Sequence, residues 1–358
     1  MHALLAGLTT FDVVHLLDHA PDITTKTTSR AHFTGAGGPA TNAAVTLAAL
    51  SRLQDTCVGA PGSCPGPSSP THLLTALGSG PTATALAAEL EDLGASLLDA
   101  TDPGVRGSDR SGTPTDPAIS SAVEHPGGRF VASTNARIPT DPTRGRELVG
   151  EAVDDAGLPD VVLVDGHNPE LAAAVLDPLL PAGSAPAPAT GAVVPPATGA
   201  ATSPTTTPTP PLRMLDGGSW KDAFVPLLGS IDVAVVSADF APPGTHGPLE
   251  MVAALHATGI EKIVRTDGPG PVRYWWDGVQ GEVDVPRTDA VSTMGAGDVF
   301  HGAFAWGLGR LHAAGARVPS DPSALIALAS QVAATSTRSF GTRAWIQDPS
   351  LPGSLAGW

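Results

Sequence analysis

The chain has 358 residues, 42% of them hydrophobic, enough for one large core or for a core with a smaller appended domain. Its 19 Lys+Arg against 35 Asp+Glu leave a formal net charge of -16, with lysine only at Lys26, Lys221 and Lys262. That balance excludes the concentrated basic surface of a backbone-binding nucleic-acid protein, but not an anionic substrate held in a local pocket of amides.

Residues 2–6 (HALLA) read as a short buried strand, and 35–39 (GAGGP) as a glycine-rich turn into an alanine-rich helix over 41–50. The start lacks the basic residues and continuous apolar run of a signal peptide, and no later stretch has the apolar length to cross a bilayer. The expectation is a cytoplasmic protein that engages neither membrane nor nucleic acid. Residues 55–71 are crowded with Pro, Gly and Ser and read as a loop. Cys57 and Cys64 flank six residues there; two cysteines make no disulfide scaffold, and they read as free thiols in a reducing compartment, a bridge between them being the alternative if the loop folds back.

A strand and turn follow at 71–80, then a helix over 81–95 with Pro81 in its first turn. From 101 to 145 the pattern is weak; 130–134 (FVAST) is the clearest strand, and a small cover is expected from segments within about 10–35 and 100–145. Short apolar strands then alternate with helices: 161–164 before a helix at 171–180, 213–215, 233–236 before a helix at 249–259, and 263–264. Each strand ends in small or acidic residues, which predicts an α/β fold with a mostly parallel sheet whose carboxyl-end loops build the site. Residues 182–211 are almost entirely Ala, Pro, Gly, Thr and Ser, and are expected to be a disordered insertion. Replacing them by a short Gly/Ser loop should leave melting temperature and activity nearly unchanged, because loop closure costs entropy only slowly with length. A large loss of either would show that the segment is built into the body.

The sharpest signal is Ser292-Thr293-Met294-Gly295-Ala296-Gly297-Asp298 ahead of an apolar helical pattern at Phe300, Phe304, Leu308 and Leu311. Backbone amides at such a helix start, with the helix dipole, hold negative charge and suit a moving phosphoryl group. Asp298 reads either as a general base accepting an alcohol's proton or as a helix N-cap. With an ordinary pKa near ~4 it would be ionised at neutral pH. There is no G-x-x-x-x-G-K-[ST], and residues 35–38 do not continue as G-x-G-x-x-G. Arg106, Arg129 and Arg137 are candidates to meet an anionic substrate, though solvent exposure is the commoner fate. His167, at a strand end, is a candidate to reach the cleft; Trp275, Trp276 and Trp306 read as packing residues or exposed hairpin residues.

The sequence resembles the ribokinase-like (pfkB) family of carbohydrate and nucleoside kinases. That family's late D-T-x-G-A-G-D stands here as residues 292–298, and its early paired glycines and asparagine as Gly37, Gly38 and Asn42. Shorter pieces at 7–12, 73–80, 127–134, 164–166 and 235–241 support it. The resemblance implies a Rossmann-like three-layer α/β/α sandwich with a small β-rich lid. It implies ATP and Mg2+ as cofactors and phosphorylation of a hydroxymethyl group on a sugar or related alcohol. Asp298 would be the base, and Gly295, Ala296 and Gly297 the anion hole. Asp12, Gly38, Asn42 and Arg137 would bind substrate, with Thr266, Asp267, Gly268, Gly297 and residues 330–341 at the nucleotide. On the residues alone, Asp12 reads as a turn cap and Asn42 as a helix-start residue. Ser292 replaces the family's opening aspartate and carries no formal charge, which argues against potassium activation. An N-x-x-E segment for magnesium-bound water is not evident at 237–244, and the metal ligands stay unassigned. A nucleoside kinase and a non-catalytic sugar or nucleotide sensor remain the alternatives, and a homodimer is left open.

Overall fold

Strands apolar at every position are strands covered on both faces, since successive side chains leave opposite sides of a sheet. Val161 and Leu163 enter one core while Val162 and Val164 enter another; Ala3 and Leu5 divide in the same way from Leu4 and Ala6. A computed structural model of the chain describes residues 1–22, 24–58, 69–105, 116–134, 138–179 and 209–358.

In chain order the elements are β1 (Ala3–Ala6), β2 (Thr10–Leu16), β3 (Ala31–Gly37), α1 (Pro39–Val58), β4 (Thr71–Thr75), α2 (Pro81–Asp92) and β5 (Ser96–Asp99). There follow β6 (Ala118–His125), β7 (Gly128–Ser133), α3 (Pro142–Ala156), β8 (Val161–Val164), α4 (Pro169–Leu176), β9 (Leu212–Gly217), β10 (Val233–Ser237) and α5 (Pro248–His256). These are followed by β11 (Lys262–Asp267), β12 (Gly270–Trp276), β13 (Val279–Val283), α6 (Ala296–Ala313), α7 (Ser323–Ser336) and the short α8 (Leu351–Ser354).

The large sheet has nine strands in the order β13-β12-β11-β10-β9-β8-β1-β4-β5. Neighbours from β5 to β11 pair in parallel, and β12 and β13 close one edge as an antiparallel hairpin. Helices α1, α2, α6 and α7 bury one face and α3, α4 and α5 the other. The result is a three-layer α/β/α sandwich. A second, four-stranded sheet, β3-β2-β6-β7, is built from 10–16, 31–37, 118–125 and 128–133.

Two elements go beyond the sequence reading. The weak stretch before 145 contains β6, whose residues alternate between buried and exposed over much of its length. It also leads into α3, capped by Asp141, whose side chain accepts from the amides of Thr143 and Arg144. Helix α1 runs eight residues past the predicted end at 50. Arg106, Arg137, Cys64 and residues 182–208 lie outside the described residues. Residues 209–211 do not: Pro211 is buried, and Pro210 offers its carbonyl to His312 Nε2 at 3.0 Å. The stretch to replace therefore ends before 209. No described helix is long and apolar enough to cross a membrane. Trp276 and Trp306 are fully buried, as packing residues would be.

Candidate active site

The carboxyl ends of the parallel strands meet the starts of α1 and α6, and the candidate residues gather there. Gly38 (φ 100°) lets the chain turn from β3 into α1 with a Cβ-free approach to the Leu8 carbonyl; a Cβ there would sit 2.3 Å from that oxygen. Gly295 (φ 73°) plays the same part at α6, adopting a left-handed conformation as its N-cap. Asp298 is therefore the third residue of α6 and not its cap.

The Asp298 carboxylate is half-buried, and its Oδ2 accepts from Asn42 Nδ2 at 2.7 Å. Asn42 is held in turn by Arg343, whose Nη1 donates to Asn42 Oδ1 at 2.9 Å. Arg343 also donates to the carbonyls of Ala36 at 2.5 Å and Thr342 at 3.0 Å. A guanidinium has only donors, so it fixes which end of the Asn42 amide faces Asp298. Burial is the largest cause raising the Asp298 pKa, to about 7, with the nearby Asp216 adding to it and the Asn42 hydrogen bond opposing it. The ordinary value expected from sequence is thus displaced to the range where a base works best at neutral pH.

Asp12 lies inside β2, so it is no turn cap. It is buried, accepts from Thr10 Oγ1 at 2.6 Å, and has its pKa raised, chiefly by burial. Asp12, Gly38, Asn42, Gly295 and Asp298 line one cavity of about 350 Å³ together with Ser120 and His167. His167 thus reaches the cleft.

A larger cavity of about 870 Å³ lies on the other side of the α6 start, lined by Thr266, Gly268, Ala296, Gly297, Phe300, Ser330 and Thr337 among others. Asp267 is not among its lining residues: it is exposed, beside Arg265 at 3.9 Å, at the end of β11 next to the hairpin turn. The Ser330 hydroxyl is buried without a hydrogen-bond partner among the described residues. The Ala296 amide bonds to the Thr293 carbonyl at 3.3 Å and so is not a free donor for an anion.

Two contacts were not read from sequence. One is Arg343, two residues beyond the segment assigned to the nucleotide. The other is Glu124 on β6, which is buried and accepts from Ser292 Oγ at 2.5 Å. The small sheet thus sets a carboxylate against the Ser292 hydroxyl. Arg129 is exposed, 3.9 Å from Glu124, and lines neither cavity.

The Asn42 geometry predicts the behaviour of Asn42→Asp. Arg343 can still donate to one carboxylate oxygen, but the other would face Asp298 as a like charge. The Asp298 pKa should rise by about one unit or more, as for two carboxylates sharing a site. The acid limb of activity is then expected to move to higher pH, with activity recovered in alkaline buffer; a pH–rate profile of the variant checks it.

Residues 244–349 match the family model described as pfkB family carbohydrate kinase. The fold is similar to that of ribokinase from Giardia lamblia, at 14% identity over 98% of each chain with a TM-score of 0.66. It is also similar to fructokinase with bound ATP from Xylella fastidiosa, at 16% identity over 95% of this chain and 93% of that one, TM-score 0.63. Ribokinase from Arabidopsis thaliana complexed with ribose and ATP gives 18% identity, 95% and 93% coverage and a TM-score of 0.56. No curated protein matches the chain. The architecture is thus the ribokinase-like one, a central sheet flanked by helices with a smaller β-rich subdomain. The family model covers the C-terminal part of the chain, and the solved structures extend the likeness along its length as one of fold.

Proposed function

We propose that the chain is an ATP-dependent carbohydrate kinase that phosphorylates a hydroxymethyl group of a sugar or sugar derivative. The observation that carries this reading is that two cavities share the start of α6 as their common wall: Ala296 and Gly297 face one, Gly295 and Asp298 the other. A phosphoryl donor in the larger cavity and an alcohol in the smaller would meet at the amides of 297 and 298.

The acceptor hydroxyls would be oriented by Asp12, Asn42 and the Gly38 backbone, with Arg137 a further candidate, and covered by the small sheet as a lid. The nucleotide would lie along Thr266, Gly268 and the end of α7 from Ser330 to its C-cap Thr337, where the Ser330 hydroxyl, unpartnered among the described residues, suits a polar ligand atom. Asp298 would take the alcohol proton as the O–P bond forms, while the amides stabilise charge on the transferring group. Among the described residues no group of three or more His, Cys, Asp and Glu could hold a metal ion, so a protein-built cage for Mg2+ does not fit. A divalent ion bound to the nucleotide phosphates would supply charge neutralisation there.

ADP release across ketoses, aldoses, sugar acids and nucleosides, with ATP and magnesium, tests the reading. Folded protein that binds ATP and turns over none of them would sink it. The sensor alternative rests on the charge missing at Ser292, whose hydroxyl here donates to the Glu124 carboxylate; ligand binding without a phosphorylated product would favour it. With the base pKa raised to about 7, activity should fall as pH drops through that value, because the protonated carboxyl accepts no proton. A kcat/KM profile still flat at pH 5 would refute this assignment of the base.

A further inference from the structure

One turn beyond Asp298 on α6, His301 is buried against Asp216 at the end of β9; both are about 4% exposed. His301 Nε2 lies 3.1 Å from the Val235 carbonyl, and a carbonyl only accepts, so Nε2 carries a hydrogen. His301 Nδ1 then faces Asp216 Oδ2 at 3.5 Å, the outer limit of a hydrogen bond; neither atom meets a closer hydrogen-bond partner among the described residues, and the Gly297 carbonyl one turn back on α6 also lies beside the ring. Without a proton between them, two lone pairs would oppose each other in the interior and Asp216 would hold an unpaired charge, both costly. With one proton both atoms are satisfied, and the pair has zero net charge whichever group holds it.

We infer that Asp216 and His301 form a buried one-proton pair, the Asp216 carboxyl donating to His301 Nδ1, which tunes the base at Asp298 by keeping its own charge at zero. The inference rests on the reading of Asp298 as base. Asp216 and His301 touch no reactant and act as positioning residues. The other charged groups around them are Asp165 after β8, Lys221 after β9 and Asp298 on α6, with Asp12 and Arg343 beyond Asp298. Burial and then Asp165 raise the Asp216 pKa to about 8, against Lys221, and burial lowers that of His301. Both shifts keep the proton on the carboxyl at neutral pH. Above that range the pair loses it to solvent and becomes an anion beside the base and the phosphoryl path.

Two measurements on the full chain test this. In a 15N-histidine NMR titration of the wild-type protein, His301 is assigned by the signal lost in His301→Gln. It should remain the neutral Nε2–H tautomer between about pH 6 and 8, across the range where a free histidine titrates. An imidazolium signal in that range overturns the pair. In pH–rate profiles, Asp216→Asn supplies a permanent N–H donor to Nδ1 without charge. It should abolish the alkaline limb and leave the acid limb in place, since the neutral pair carries no charge where Asp298 titrates and becomes an anion only above about pH 8. A folded variant with the wild-type profile overturns the tuning role. Wild-type protein that turns over no acceptor overturns the kinase reading and the tuning with it, whereas the NMR result decides the pair separately.

Discussion

Asp298→Asn is expected to give a folded protein with near-normal ATP affinity and a turnover reduced by roughly 10²–10⁴, the range for loss of general-base assistance. The substitution preserves shape, and the new amide oxygen can still accept from Asn42 Nδ2, so the Arg343–Asn42 arrangement survives. It removes the proton acceptor and the charge. Because Gly295 is the cap of α6, no cap is lost. The effect on stability has a definite sign. A carboxyl whose folded pKa lies above its unfolded value binds more protons in the native state. Its ionisation therefore costs stability progressively from the unfolded value of 3.8 up to about 7, and in full above that. Removing the charge at pH 8 should leave the melting temperature equal or higher. Low turnover with an undiminished melting temperature identifies a base. A carboxylate that only held the helix start would give the reverse, and unchanged turnover on an accepted sugar would sink the assignment.

What could be read from the sequence was whatever local pattern dictates. The apolar runs at 161–164 and 233–236 became central parallel strands because a strand buried on both faces needs no polar alternation. The α6 start was legible because two glycines before an apolar 3.6-residue pattern mark an open, amide-rich helix end. Burial and long-range contact were not legible. The pKa of Asp298 depends on Asp216, 82 positions earlier, and on dehydration that no spacing encodes. Arg343 reaches Asn42 across 301 positions, and Glu124 reaches Ser292 across 168. Helix α3 had a local signal in Asp141-Pro142, an N-cap followed by proline, but glycine and charge thin out its apolar face. Asp165 was read only as an acidic strand end, yet the fold gives it a larger structural task.

Asp165→Ala is expected to cost about 3–5 kcal/mol of stability, the scale of breaking a buried hydrogen-bond network. The Asp165 side chain, about 1% exposed, accepts from three backbone amides of three segments. These are Leu8 after β1 at 2.8 Å, Ala40 in the first turn of α1 at 3.2 Å, and His167 after β8 at 2.9 Å. The Ala40 amide is one of the helix-start donors with no intrahelical partner, so the carboxylate completes α1 from outside. The packing leaves no slack: a Cβ on Gly7 would sit 2.2 Å from the Asp165 carboxyl carbon. Alanine would strand these donors in a space lined by backbone, each unmet donor costing about 1–3 kcal/mol before any water enters. Asp165→Asn separates hydrogen bonding from charge. Its oxygen can still accept, but its NH2 group must face at least one amide donor, so an intermediate loss is expected. Chemical denaturation of the two variants against wild type checks the order. A loss below about 1 kcal/mol for Asp165→Ala would mean that water or a local shift satisfies the amides, and that the junction of β1, α1 and β8 does not depend on this carboxylate.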